Sequence, residues 1–328
     1  MRVLVTGGAG YIGSHACKAL ARAGHEPVTF DNLSTGHRWA VRWGPLIVGD
    51  LGDGDVVRRT LREQGVQAVM HFAASAYVGV SISEPRAYYA NNLANGLALL
   101  DAMLDSNIRL LIFSSSCAIF GTQQTALIDE THRQEPVNPY GETKRAFEQA
   151  LRWYDRGYGL RSIALRYFNA AGADPEGETG EEHEPEPHLI PNILSTAAGA
   201  RPYLSIFGDD YPTPDGTAVR DYVHVSDLAS AHVLALEHLA GGGPSLQLNL
   251  GTSRGHSVRE VVNAAAAVCG AEIPTRISAR REGDPPLLVA DGRVAQQTLG
   301  WTPRHSDLAS ILRSAWRWHS SRAPGRGA

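Results

Sequence analysis

Cysteine is scarce in this sequence, and long apolar runs are missing from it. Its 328 residues include three cysteines, Cys17, Cys117 and Cys269, which lie far apart and form no CxxC pair. This spacing argues against a disulfide framework or a thiolate metal site and favours a reducing, cytoplasmic setting. The apolar start MRVLV stops at Thr6, too early for the core of a secretion signal, and no later run has the length of a membrane span. We therefore expect a soluble protein.

A strong excess of either charge is also missing. The formal net charge is −4, the pI is about 6.3, and lysine and arginine are scattered along the chain. These features argue against nucleic acid or a membrane surface as a partner. Hydrophobic residues make up 43% of the chain, enough for a substantial core in one large domain or two lobes.

Short apolar runs alternate with segments of helical period through the first half. The runs are RVLVTG, PVTFD, LIVGD, AVMHFA, LLIFSSS and SIALRYFN, with helices predicted over 11–23, 53–64, 85–106 and 139–156. Strands separated by helices imply right-handed crossovers and a parallel sheet covered on both faces. We predict an α/β fold: a Rossmann-type doubly wound parallel sheet over 1–170, to which segments near 220–252 return, a smaller C-terminal α/β substrate-binding lobe over 171–320, and a disordered tail over 321–328.

An acidic segment, GADPEGETGEEHEPEPH, separates the two predicted parts. It carries seven acidic residues, three prolines and three glycines, a composition typical of a loop. His183 and His188 raise the question of a metal site, but the spacing matches no familiar ligand pattern. We expect these carboxylates to stay hydrated and the protein to bind no metal. Beyond this loop we predict helices near 189–199, 226–239 and 257–268, two more after Asp291, and the strands LSIFG and LQLNLG.

The stretch VLVTGGAGYIG predicts a dinucleotide site. It begins as a strand and ends as a helix, with Gly7, Gly10 and Gly13 where a tight turn, a close pyrophosphate and a helix–strand contact exclude a Cβ. The second strand ends in Asp31, whose carboxylate suits the adenosine ribose and repels a 2′-phosphate, so we expect NAD rather than NADP. Further candidates at strand ends are Asp50, Phe72, Ala73 and Ala74.

The stretch NPYGETK places Tyr140 one helical turn before Lys144, and the fifth strand ends in three serines, 114–116. Taken singly, such pairs are usually neighbours on a solvated face, and such serines are usually caps. Together with the glycine motif, their order resembles the extended branch of the short-chain dehydrogenase/reductase superfamily. In that superfamily the lysine contacts the cofactor ribose and lowers the pKa of the tyrosine, and the serine holds the substrate hydroxyl. A phenol with a pKa of about 10 needs nearby positive charge to act as a base near neutral pH.

The resemblance extends almost end to end to the UDP-glucose 4-epimerase family. It is carried by VLVTGGAGYIGSH, DNLSTG, HFAASAYVG, YYANN, FSSSCAIFG, NPYGETK, LRYFNAAGA, HLIPNIL, IFGDDYPTPDGTAVRDYVHVSDLA, NLGT and RREGDPP. It implies oxidation of the sugar at C4 by hydride transfer to NAD, rotation of the 4-keto sugar, and return of hydride to the other face. UDP-glucose and UDP-galactose would interconvert. Cys117 follows Ser116, where dehydratases and decarboxylases of this branch typically have an acid.

The same resemblance implies roles for individual residues and for assembly. The catalytic set is Tyr140, Lys144 and Ser116. Cofactor-binding residues are Gly7, Gly10, Tyr11, Ile12, Gly13, Asp31, Asn32, Asp50, Leu51, Phe72, Ala73, Ala74, Asn91, Ser114, Tyr140, Lys144 and Tyr167. Substrate-binding residues are Ser116, Tyr140, Asn169, His188, Leu189, Ile206, Phe207, Arg220, Arg281 and Asp284, the arginines suiting a diphosphate and Asp284 the ribose hydroxyls. A homodimer is expected through the helices over 85–106 and 139–156.

Several positions depart from the family pattern and leave alternatives open. Ala76 and Tyr77 occupy a stretch where some members have a lysine, and Phe120 replaces a common tyrosine. Leu288 lies four residues after Asp284, where a large tyrosine or a small cysteine is thought to set the tolerance for N-acetylated sugars. UDP-glucuronate and UDP-N-acetylhexosamines remain alternative substrates. An NAD-dependent alcohol dehydrogenase would use the same serine, tyrosine and lysine.

Overall fold

A parallel sheet of seven strands forms the centre of the protein in a computed structural model, which describes residues 1–122, 125, 127–281 and 285–322. In chain order, the strands in these ranges are β1 (Arg2–Thr6), β2 (Glu26–Asp31), β3 (Leu46–Val48), β4 (Ala68–His71), β5 (Leu110–Ser116), β6 (Arg161–Tyr167), β7 (Asn169–Ala171), β8 (Leu204–Phe207), β9 (Val219–His224), β10 (Leu246–Leu250), β11 (Gly255–Ser257), β12 (Thr275–Ser278) and β13 (Leu287–Leu288). The central sheet has the order β10-β6-β5-β4-β1-β2-β3. The strand order reverses beside β1, and in open α/β sheets ligands bind at the carboxyl edge of this point.

Helices cover both faces of the sheet. Those in the described ranges are α1 (Tyr11–Arg22), α2 (Gly54–Glu63), α3 (Val78–Ser83), α4 (Pro85–Tyr88), α5 (Asn95–Asp105), α6 (Pro139–Tyr158), α7 (Leu189–Ala197), α8 (Val225–Ala240), α9 (Val258–Cys269), α10 (Arg293–Leu299) and α11 (Leu308–Arg322). On one face, α1 and α8 pack together over Val5 and Leu248; on the other, α2, α5 and α6 bury Leu4 and Phe147. Burial from both sides explains why the strands read as continuous apolar runs.

The smaller lobe is built around β9. This strand pairs with β11 in antiparallel fashion and with β7 and β13 in parallel fashion, while β8 pairs with β12. A third apolar core, which includes Ile193, Val261 and Ile311, lies between α7, α9 and α11. This lobe adds its own wall above the carboxyl edge of the central sheet.

The predicted doubly wound parallel sheet is confirmed, and several local elements differ from expectation. The predicted helix over 85–106 is α4 and α5 joined by a π-helical turn, Tyr89–Ala94. Helix α3 was not predicted because its sequence, VGVSIS, has the β-branched residues of a strand; Ser81 stabilises it by donating to the carbonyl of Val78 at 2.6 Å. Strand β9, predicted as neither helix nor strand, is buried along Asp221–His224.

Two segments bear on the predicted boundaries. Leu299 and Trp301 come from the range assigned to the substrate lobe, but they pack in the core of the central sheet. Residues of α8 and of the sheet strand β10 belong to the same core. The predicted tail begins two residues too early, since Ser321 and Arg322 form the last turn of α11, where Ser321 Oγ donates to the carbonyl of Trp318 at 2.8 Å. Residues 323–328 lie outside the described ranges. Within those ranges, no helix combines the length and apolarity needed to cross a membrane.

Candidate active site

A cavity of about 1560 Å³ opens between the carboxyl edge of the central sheet and the smaller lobe. It is lined by the ends of β1, β2, β4, β5 and β6 on one side and by α7, β8 and β9 on the other. Every predicted cofactor, substrate and catalytic residue within the described ranges lines this cavity. Asp284, predicted to hold the ribose, lies outside the described residues.

The glycine turn between β1 and α1 forms the floor of the cavity at one end. Gly7 has φ +72°, and a Cβ there would lie 2.7 Å from the amide nitrogen of Ala73. A Cβ on Gly13 would lie 2.2 Å from the carbonyl oxygen of Gly7. Gly10 precedes α1 and has no side chain to cap its first turn, which contains Tyr11 and Ile12. The first amides of α1 are therefore open to an anion, as a bound pyrophosphate requires.

Asp31 ends β2 beside this turn and is nearly buried. One carboxylate oxygen accepts the amide of Ala9 at 2.9 Å, and the other accepts the amide of Leu33 at 2.8 Å. Each oxygen keeps further acceptor capacity, so the carboxylate is fixed in place and can still accept from ribose hydroxyls. Next to it, Asn32 donates to Asp50 at 2.7 Å. These contacts fit the adenosine half of a bound NAD.

The π-helical turn supplies a support that the sequence did not reveal. Asn92 accepts the amide of Ser75 at 2.8 Å and donates to the carbonyl of Ser75 at 2.9 Å and to Thr143 at 3.3 Å. Asn91, a predicted cofactor residue, donates to Ser75 Oγ at 3.1 Å. The loop after β4, with Phe72 and its neighbours, is thereby tied to α6. The repeated asparagine in YYANN was the available signal.

The three predicted catalytic residues are brought together where α6 meets β5. Helix α6 begins after Asn138, whose side chain caps it by accepting the amide of Gly141 at 2.8 Å. One turn inside it, Lys144 Nζ donates to the carbonyl of Ser114 at 2.8 Å and lies 5.7 Å from the centroid of the Tyr140 ring. Ser116 ends β5, accepts the amide of Ala118 as a cap, and hydrogen-bonds Tyr140. The serine therefore caps a turn and faces the cavity as well.

Burial opposes charge on both members of the Tyr140–Lys144 pair. It raises the pKa of Tyr140 to about 12, against the lowering effect of the Ser116 hydrogen bond. It lowers the pKa of Lys144 to about 7, against the raising effect of Glu148. Lys144 by itself therefore does not make this phenol a base. A further positive charge beside the phenol is required, and a nicotinamide ring carries one.

A buried ion pair holds the catalytic helix against the sheet from behind. Glu148, one turn beyond Lys144, lies 2.6 Å from Arg166 on β6 and accepts Ser115 Oγ from β5 at 2.6 Å. Nearby, Ser114 Oγ hydrogen-bonds the hydroxyl of Tyr167, another predicted cofactor residue. These contacts lock together three of the elements on which the site is built.

The opposite end of the cavity carries the cationic and aromatic residues of the smaller lobe. Arg220 on β9 donates to the carbonyl of Val219 at 2.7 Å, and Asn169 donates to the carbonyl of Asp221 at 3.0 Å. The Arg281 guanidinium lies 4.1 Å from the ring centroid of Phe207 on β8. Predicted residues His188, Leu189 and Ile206 complete this wall; Asn192, Arg201 and Tyr203 also line it and were not in the predicted substrate-binding set. For Arg201 and Tyr203, the signal was the RPY that precedes β8.

Besides the predicted His188, further residues of the acidic segment reach the cavity, which was not expected. Glu181, His183, Glu186 and His188 line it, and the side chain of Glu181 is only 8% exposed, so the prediction that the carboxylates of this segment stay hydrated is wrong for Glu181. Although burial lowers the pKa of His188, Glu181 and Glu186 outweigh it and raise that pKa to about 10. This wall is therefore a dense group of charges.

Of the residues that depart from the family pattern, some line the cavity and one is buried behind its lining. Tyr77 and Leu288 line the cavity, and Ala76 lies beside Tyr77. Phe120 is fully buried in a cluster with Ile119 and Phe168, behind the wall. The hydroxyl that phenylalanine lacks would therefore not face the cavity, whereas Leu288 is placed to affect what fits.

Comparison with known proteins identifies close relatives along the whole chain. Residues 3–251 match the family described as NAD dependent epimerase/dehydratase. The UDP-glucose 4-epimerase of Rhizobium leguminosarum bv. trifolii is 51% identical over 318 residues, which cover 97% of each chain.

Solved structures agree with this match. The crystal structure of UDP-glucose 4-epimerase from Brucella ovis in complex with NAD is 51% identical, covers 97% of this chain and 98% of its own, and has a TM-score of 0.95. The UDP-glucose 4-epimerase from Stenotrophomonas maltophila, with bound NAD and formylated UDP-arabinopyranose, is 42% identical, covers 98% of both chains, and also has a TM-score of 0.95.

Proposed function

This chain belongs to the NAD dependent epimerase/dehydratase family, and we propose that it is an NAD-dependent epimerase that interconverts UDP-glucose and UDP-galactose at C4 of the hexose. One observation carries the proposal. Ser116, Tyr140 and Lys144 meet in a single cavity that runs from the glycine turn to Arg220 and Arg281. A site with a dinucleotide cradle at one end and diphosphate-binding cations at the other suits a nucleotide sugar whose hexose lies between them.

The cofactor end fits NAD by shape as well as by family. The Cβ contacts at Gly7 and Gly13 show that backbone fills the space any side chain would need, and the open first turn of α1 faces the cavity. Asp31 would bind the adenosine ribose, and the Lys144 ammonium the ribose next to the nicotinamide. When bound, the nicotinamide accepts a hydrogen with its electron pair from the sugar C4 and later returns it.

Tyr140 is the proton acceptor of the proposed reaction. Its phenolate takes the proton of the sugar 4-hydroxyl as C4 becomes a ketone, and the phenol gives that proton back when C4 is reduced. Ser116 Oγ holds the same sugar oxygen, since it lies beside the phenol at the end of β5. Lys144, fixed by the Ser114 carbonyl, supplies positive charge that favours the phenolate. Inversion requires the keto sugar to present its other face before reduction.

The arginines at the far end supply the anchor that this rotation needs. Arg220 and Arg281 would hold the diphosphate, so the hexose itself needs few tight contacts. The test is to incubate purified protein with UDP-galactose and to identify UDP-glucose by chromatography, without added reductant. Failure to form UDP-glucose, with the protein folded and loaded with NAD, would refute the proposal.

Three alternatives are distinguished by variations of the same experiment. UDP-glucuronate is a second substrate candidate because Arg201 also lines the cavity, and UDP-N-acetylglucosamine is a third because Leu288 is intermediate in size. Each is assayed beside UDP-glucose. A one-way alcohol dehydrogenase would instead consume added NAD, which an epimerase regenerates in every cycle.

We also propose a homodimer in a reducing, cytoplasmic setting. Trp153 on α6 is 60% exposed and Tyr89 is 41% exposed, on the two segments predicted to pair. A solution mass near 35.3 kDa, the mass of one chain, would exclude the dimer. The three cysteines are free thiols, as a reducing compartment maintains them.

A further inference from the structure

Four side chains of the acidic segment, Glu181, His183, Glu186 and His188, place one ligand atom each within 4.8 Å of all the others. We name them the loop cluster. His188 Nδ1 lies 2.7 Å from a Glu181 oxygen and 3.1 Å from a Glu186 oxygen. His183 Nδ1 lies 3.3 Å from the same Glu181 oxygen and 3.5 Å from the other Glu186 oxygen. Each imidazole nitrogen thus faces both carboxylates.

The Nδ1 atom of His183 is the informative one. It is buried and makes no hydrogen bond, although one oxygen of Glu181 and one of Glu186 lie within 3.5 Å. The edges of the Tyr11 and Tyr77 rings pack against His183 and fix its ring. Buried polar atoms without a partner are rare in native proteins. A metal ion bound between this nitrogen and the two carboxylates would give the nitrogen the partner that it lacks.

A second acidic group in the same segment gives an internal comparison. Asp174, Glu176 and Glu178 also converge within 4.8 Å, but Lys18 Nζ lies 2.7, 3.0 and 2.6 Å from them and occupies the position between them. In the loop cluster the groups between the carboxylates are imidazoles, which can release a proton and then donate a nitrogen lone pair to a metal ion.

We propose that the loop cluster binds one divalent metal ion of the zinc class. Two imidazole nitrogens and two carboxylate oxygens form a four-coordinate donor set that suits Zn²⁺, and the two carboxylates balance its charge. Because all four ligands come from the chain, the role is structural: the ion ties the acidic segment to the start of α7. Given the proposed function, it thereby fixes His188 and Leu189 in the wall that would contact the nucleotide sugar.

The test is binding of Zn²⁺ alone to the full chain after removal of metal with a chelator. Isothermal titration calorimetry without nucleotide sugar should give one ion per chain. Co²⁺ in place of Zn²⁺ should give the intense visible absorption of a four-coordinate ion. No substrate is present, so the result is independent of the proposed epimerase activity.

Variants locate the ion. His183→Ala and His188→Gln should each weaken Zn²⁺ binding by more than about tenfold. A loss of about tenfold is the least expected when a residue that only supports a metal ligand is replaced, so loss of a ligand itself should exceed it. The control variant is Glu176→Gln, in the acidic group that contacts Lys18, and it should bind Zn²⁺ as tightly as the unaltered protein does. His188 is half-exposed, so its variant should fold, which circular dichroism checks. Absence of Zn²⁺ binding, or an affinity in both histidine variants equal to that of the unaltered protein, would overturn the proposal and leave the loop cluster as ion pairs.

Discussion

Removing the charge of Glu148 should cost more stability than any surface charge change on the same helix. The side chains of Glu148 and Arg166 are 0% and 2% exposed, and their contacts measure 2.6, 3.0 and 3.2 Å. Ser115 donates a further hydrogen bond to the carboxylate. In Glu148→Gln the packing is retained and the guanidinium loses its counter-charge while it stays away from water.

The expected loss is about 3–5 kcal/mol in the free energy of unfolding, the usual result of breaking one side of a buried pair. That is a large fraction of the roughly 5–15 kcal/mol that stabilises a typical protein. The matched control is Glu142→Gln, two turns earlier on α6. Glu142 pairs with Arg145 at 2.6 Å, with side chains 31% and 43% exposed, so its removal should cost less than about 1 kcal/mol.

Urea unfolding monitored by circular dichroism measures both losses. The double variant Glu148→Gln with Arg166→Met should recover part of the stability, because it removes the unpaired buried charge. Equal losses in Glu148→Gln and Glu142→Gln would refute the reasoning, since they would mean that Arg166 finds solvent or another partner when Glu148 is neutral.

Three further predictions concern catalysis, the glycine turn and acid stability. Tyr140→Phe should lower epimerase turnover by at least about a hundredfold, the usual contribution of a positioned base, with NAD retained; unchanged turnover would contradict the assigned role. Gly13→Ala should destabilise the fold by about 1–3 kcal/mol, because its Cβ meets the backbone of Gly7, whereas Gly157→Ala, whose Cβ meets nothing, should not; thermal unfolding compares them. Burial lowers the pKa of His15, His71, His224 and His232 to about 3–4. Below about pH 6.5 the unfolded chain therefore binds protons on these four histidines that the folded protein does not bind. The histidines stabilise the fold above that pH, and their contribution to the free energy of unfolding falls as the pH drops. Burial raises the pKa of Asp221 to about 6, so near pH 5 the folded protein binds a proton on Asp221 that the unfolded chain does not, which offsets one of the four histidine protons. The free energy of unfolding should therefore fall by about 4 kcal/mol per pH unit near pH 5. Equal urea midpoints at about pH 7 and pH 5 would contradict this.

The central sheet could be predicted from sequence because strands buried on both faces are continuous apolar runs. Val3, Leu4 and Val5 are all fully buried, and such continuous runs separated by helical periods permit few arrangements. The position of Ser116 followed from the same logic, since strand ends in a parallel sheet share one edge, whereas Tyr140 on α6 was assigned from the family resemblance.

The far wall of the cavity could not be predicted in this way. Its strands are two to six residues long and pair over long distances, as Leu204 does with Thr275 and Arg220 with Leu288. Such short strands carry no clear period, so only the family resemblance indicated which residues belong there. The loop cluster was missed for a related reason: folding of the segment, and not a ligand spacing, brings Glu181 and His188 together.

The site fixes its reacting groups and leaves motion to the substrate. Ser116 is held at the end of a central strand, and Lys144 is tied to the Ser114 carbonyl and backed by Glu148. Neither Ser116 nor Lys144 can follow a sugar that turns over, so one phenol between them must serve both faces of C4. Inversion then depends on anchoring at the two ends of the cavity alone. In the proposed reaction the glycine turn and Asp31 would hold the cofactor against rigid backbone, and the arginines of the smaller lobe would hold the diphosphate, so that the hexose could rotate between them while the cofactor stays in place.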